Sequence, residues 1–61
     1  MTAYYYSNFY EAALRVEGDE GFLTQEGKER PIDSDTKIVT DMMVAKPITK
    51  SEYDAHVAKM M

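Results

Sequence analysis

The chain has 61 residues and a formal net charge of -4; 44% of its residues are hydrophobic, 30% are charged, and none is cysteine. That length allows one small domain, residues 1–61, which hides only about 60% of its unfolded surface, so self-association or docking on another protein is the expected way to complete its core. Disulfides and thiolate metal sites are excluded, no run is long and apolar enough for a membrane span or secretory signal, and the reading is a cytoplasmic protein.

Thr2 to Tyr6 holds three successive tyrosines, Tyr4, Tyr5 and Tyr6. Aromatic residues favour strands, whose neighbours point to opposite faces, so a short strand puts Tyr5 on one face and Tyr4 and Tyr6 on the other. Ser7 or Asn8 then caps a helix over Phe9 to Glu17. Phe9, Ala12, Ala13 and Val16 line one side of it, Tyr10 and Leu14 widen that stripe, and Glu11 precedes Arg15 by the favourable four residues. Gly18 suits a left-handed stop. Leu14-Arg15-Val16-Glu17 alternates as a strand would, but the two alanines and the glycine stop favour the helix.

Gly18 to Gly21 is a turn-rich connection. Phe22-Leu23-Thr24 and Lys28-Glu29-Arg30 flank Gln25-Glu26-Gly27, which predicts a hairpin with Gly27 at a positive φ. Pro31 cannot donate to a ladder, so it limits the second arm or places it at an edge. Asp33-Ser34-Asp35-Thr36 is a loop or the acidic first turn of a helix. From Lys37 to Lys46, Ile38, Thr40, Met42 and Val44 alternate, while Ile38, Met42 and Ala45 share a helical face. The β-branched Ile38-Val39-Thr40 favours a strand, which would join the hairpin in a meander with helices on one face.

Pro47 ends that element. Thr49 and Glu52 form a capping box, and Ile48 and Tyr53 are placed for a hydrophobic staple. Behind this entry Tyr53, Val57 and Met60 fall on one face, with His56 and Met61 at its margins. The predicted fold is a small single α+β domain: an N-terminal helix, an antiparallel β-hairpin or three-stranded meander, and a capped C-terminal helix.

Chemistry is thinly supplied. The single histidine, His56, follows Glu52 by four residues, which would let the carboxylate raise the imidazole pKa; an ordinary surface pair is the simpler expectation. The three glycines match no phosphate loop, and Asp33 and Asp35 lack the glycine and third ligand of a calcium loop. No enzyme, cofactor or metal is expected. From Glu17 to Asp35 seven acids face two bases, whereas the rest of the chain has four acids and five bases. Direct nucleic-acid binding through Lys37, Lys46, Lys50 and Lys59 is therefore disfavoured. A basic partner, or a nucleic-acid-binding protein, fits better, although an acidic surface also simply keeps a small protein dispersed.

Tyrosine is enriched at interfaces because it buries area at little entropic cost, and methionines such as Met42 and Met43 adapt to partners. The candidate partner-binding residues are Tyr4, Tyr5, Tyr6 and Tyr10 with Glu26, Glu29, Asp33 and Asp35. The function expected is a non-enzymatic protein–protein interaction module, an accessory or inhibitory protein of the kind phages and mobile elements carry, that self-associates or docks on a larger protein. The alternative is an architectural subunit of a virion or larger complex.

Overall fold

The computed structural model describes residues 1–32 and 36–60. Five strands and two helices follow one another as β1 (Thr2–Ser7), β2 (Ala12–Glu17), β3 (Glu20–Gln25), β4 (Lys28–Ile32), α1 (Thr36–Met42), β5 (Lys46–Ile48) and α2 (Lys50–Met60). The strands form one antiparallel sheet in the order β4-β3-β2-β1-β5. Among the described residues no helix is long and apolar enough to cross a membrane.

This corrects the expected fold at three points. Residues 9–17 do not form an N-terminal helix: 8–11 are a loop and 12–17 are β2, the central strand. Ala12, Ala13 and Leu14 are all fully buried, because a strand covered on both faces has no solvent side and loses its alternation. The run of small apolar residues imitates a helical stripe for the same reason. Of the segment Lys37 to Lys46, expected as a strand, residues 37–42 belong to helix α1 (Thr36–Met42), and only Lys46–Ile48 extends.

The helices also lie on opposite faces rather than one. The Tyr4 ring meets Tyr53 at 4.8 Å and the Tyr6 ring stacks on His56 at 3.7 Å, so α2 covers their face. Tyr5 faces the other way and lines a cleft with Val16, Lys37 and Thr40, which places α1 there. All three tyrosines thereby become half-buried.

The crossover explains α1. Successive antiparallel pairings make β4 and β5 run in the same direction at opposite edges, about 19 Å apart at ordinary strand spacing. The chain must therefore pass over a whole face between them, and residues 36–42 coil on the way.

Turn chemistry fixes the register. Gly18-Asp19 joins β2 to β3, with Gly18 at φ 60°, and Glu26-Gly27 joins β3 to β4 with both residues left-handed, at φ 55° and 77°. The second is the pattern of a type I′ hairpin, which matches strand twist. The left-handed glycine expected at 18 is present, but it turns a hairpin instead of stopping a helix. Counting outward from the Gln25–Lys28 closing pair, the Phe22–Pro31 pair exchanges no hydrogen bonds, so the Pro31 nitrogen points away from β3. The same alternation, carried through β2 and β1, turns the Tyr5 backbone toward β2 and leaves the Pro47 nitrogen pointing outward on β5. Each sheet edge thus carries a proline that removes an outward donor.

α2 starts as its sequence requires. Thr49 Oγ1 accepts from the Glu52 amide at 3.2 Å, and Glu52 Oε1 accepts from the Thr49 amide at 3.0 Å. The second bond holds the Glu52 carboxyl below the usual carboxylate range. Tyr53 is buried, and His56, Val57 and Met60 are half-buried behind it.

The end of α1 is irregular in sequence but regular in bonding. Ala45 N donates to Thr40 O at 2.9 Å and Val44 N to Asp41 O at 3.2 Å, the two bonds of a Schellman motif with Val44 at its left-handed position. Val44 has φ 53°, where glycine is usual and a β-branched residue is strained. Replacing it with glycine relieves about 1–2 kcal/mol of strain against a smaller entropic loss. Val44→Gly should therefore stabilise the protein by about 1 kcal/mol and raise Tm by about 4–8 °C, read by calorimetry. A lower Tm would show that the valine side chain contributes more than its backbone costs.

Candidate functional site

Both helices run toward the same end of the sheet, where the 8–11 loop, the Glu26-Gly27 turn, the 43–45 turn and the last turn of α2 converge. Ser7 ties two of these segments together. It is fully buried; its hydroxyl donates to Met43 O at 2.6 Å and accepts from Tyr10 N at 3.2 Å. Gln25 Nε2 donates to Tyr10 O at 2.9 Å and ties in a third. The loop is thus held at both sides of Phe9, which is nevertheless 80% exposed with its ring edge-on to Tyr10 at 5.0 Å.

All three non-glycine residues with positive φ among the described residues, Glu11, Glu26 and Val44, lie at this end. Such conformations cost of order 1–3 kcal/mol each and persist where the surroundings impose them, typically beside ligand clamps. Here they aim side chains outward from tight turns: each of the three is exposed.

Two clefts flank the loop. On the α2 side, Tyr6, Tyr10, Glu11, Gln25, Glu26, His56, Lys59 and Met60 line one of about 370 Å³. Its floor is the Tyr6–His56 stack, its rim carries two carboxylates and one ammonium, and Tyr10 stands 45% exposed beside them. Beside the β5 edge, Asn8, Phe9, Val44 and Lys46 line another of about 390 Å³.

Of the residues singled out from the sequence, the fold brings Tyr6, Tyr10 and Glu26 together in the first cleft. Tyr4 is held under α2 by Tyr53, and Tyr5 faces α1. Glu29 lies on the sheet face beside Arg15, whose Nη2 is 3.7 Å away while its guanidinium also covers the Phe22 ring at 4.7 Å. Asp33 and Asp35 lie outside the described residues. The acidic segment is therefore not one surface. The hairpin carries Glu17, Asp19 and Glu20 to the far end of the sheet and Glu26 to the loop end.

His56 makes no hydrogen bond or ion pair to Glu52, and only a minor charge attraction links them, because the Glu52 carboxylate turns back to cap its own helix while the imidazole stacks on Tyr6. Sequence reasoning missed Glu11, His56 and Lys59 as cleft residues. Glu11 looked like the outer side of a helix; only its place at a loop end before a buried strand could have flagged it. Among the described residues no group of three or more His, Cys, Asp or Glu side chains is placed to hold a metal ion.

Comparison of the chain with protein-family models, curated proteins and solved structures finds no match.

Proposed function

We propose that this protein is a non-enzymatic protein–protein interaction module that docks on a larger protein through the loop end of its sheet. One observation carries the reading: strained, outward-facing residues and exposed aromatic rings gather at the one end where Ser7 and Gln25 brace the loops. A braced loop presenting Tyr10 loses little conformational entropy when it binds, which is what makes a tyrosine an efficient anchor. The Tyr10 ring with Glu11 and Glu26 suits a lysine or arginine side chain of the partner, its stem along the ring and its head between carboxylates. Glu11 takes the role first expected of Glu29, which Arg15 already engages.

Capture from native lysate by wild type, Tyr10→Ala and the Glu11→Gln/Glu26→Gln double variant tests this. A specific partner should be retained by wild type and lost by Tyr10→Ala, with faster dissociation, as truncating a buried anchor does. The double variant should bind that partner more slowly, and wild-type association should slow as salt rises, since attraction between exposed charges is screened within about 8 Å at physiological ionic strength. Equal retention by all three proteins would remove the loop end from the interface.

A further inference from the structure

We infer that the α2-side cleft reads two charges at once: an arginine of the partner, held by Glu11 and Glu26 against Tyr10, and a carboxylate beside that arginine, held by Lys59. The inference rests on the proposed function and deepens it, since that reading gives Lys59 no role.

The cleft gathers both signs of charge around one space of about 370 Å³. Glu11 comes from the 8–11 loop, Glu26 from the β3–β4 turn and Lys59 from the last turn of α2. Among the described residues these three make no ion pair, with one another or with any other group. At the other end of α2, Lys50 reaches Asp54 at 3.0 Å, four residues on. Lys59 has no such neighbour, because the positions three and four residues before it are His56 and Ala55. The ammonium and the two carboxylates therefore line one cleft without neutralising each other.

That arrangement selects a ligand of both signs. A lone cation drawn in by Glu11 and Glu26 would meet the like charge of Lys59. A carboxylate carried next to the cation turns this repulsion into attraction. The volume lies near the lower end of the roughly 300–1,000 Å³ usual for ligand sites, which suits one or two residues rather than a helix. The base is arginine rather than lysine. A guanidinium can fork between two carboxylates and lie flat on a ring, and Tyr10 offers a ring that is 45% exposed. Lysine brings only a compact, strongly hydrated charge. The carboxylate is either the terminus of a chain ending in arginine or the side chain of an acid next to it; the chemistry at Lys59 is the same.

Amide NMR titration of the whole protein at low salt tests this with blocked probes: N-acetyl-argininamide, N-acetyl-arginine, N-acetyl-lysine, and arginyl-aspartate blocked at both ends. N-acetyl-arginine or the dipeptide should shift the amides of Tyr10, Glu11, Glu26 and Lys59. The better of the two should bind about two- to fivefold more tightly than N-acetyl-argininamide, the gain from one exposed ion pair, and it identifies the source of the carboxylate. N-acetyl-lysine should bind more weakly than N-acetyl-arginine. Lys59→Gln should erase the advantage of the carboxylate, and Lys59→Arg should keep it. Equal binding of the arginine probes, a preference that survives Lys59→Gln, or equal binding of the lysine probe would overturn the proposal while leaving a basic partner in place. No shift at these residues with any probe would overturn it and also remove a partner base from this cleft.

Discussion

Leu14→Ala is expected to lower the unfolding free energy by about 3–5 kcal/mol, the largest single effect in the molecule. Leu14 is the largest apolar side chain with no exposure at all. It lies on the central strand between Tyr5 on β1 and Leu23 on β3, its direct cross-strand neighbours on the α1 face. Truncation removes its transfer free energy and leaves a cavity that two paired strands cannot close. A chain of this length holds only about 3–9 kcal/mol in total, so the variant should be largely unfolded at 37 °C. Urea unfolding monitored by circular dichroism gives the number. A midpoint equal to wild type would mean that the α1 face is open to water at Leu14.

Ser7→Ala is expected to cost about 2 kcal/mol, more than its single lost atom suggests. The hydroxyl is an acceptor for the Tyr10 amide and a donor to the Met43 carbonyl, and alanine leaves both without it in a half-buried setting. The consequence is local as well as global. Ser7 Oγ bonds both the 8–11 loop and the 43–45 turn, so amide exchange at Tyr10, Val44 and Ala45 should quicken beyond what the global loss predicts. Exchange that rises uniformly through the sheet instead would show that Ser7 stabilises the fold without bracing the loop end. Partner capture should fall with the local loosening, because Tyr10 would then have to be ordered on binding.

Several parts of this structure are written in local sequence. The β1 strand, with Tyr5 opposed to Tyr4 and Tyr6, follows from aromatic preference and two-residue alternation. The Glu26-Gly27 hairpin follows from a glycine between two short polar-apolar runs. Pro31 at an edge follows from its missing donor, and the start of α2 follows from the Thr49–Glu52 box, whose two bonds are made within four residues. In each case the deciding energy is a backbone conformation or a hydrogen bond between near neighbours, and the long-range packing agrees with it.

Tertiary structure decided the rest. Ala12, Ala13 and Leu14 form a strand because the two helices cover both faces of the sheet at its centre, and burial on both sides erases the alternation that would have identified it. Thr36 to Met42 forms a helix, against the β-branched preference of Ile38-Val39-Thr40, because the chain must cross a whole sheet face to reach the far edge. The loop end is legible in the sequence only in part. Tyr6, Tyr10 and Glu26 could be picked by residue type, but Glu11, His56 and Lys59 join them only through register, since three segments up to 54 residues apart in the chain are brought together by strand pairing and by α2 lying across it. Local preferences are worth a few tenths of a kcal/mol to about one per residue, whereas burying the central strand between two layers is worth several, so where the two disagree the long-range term prevails.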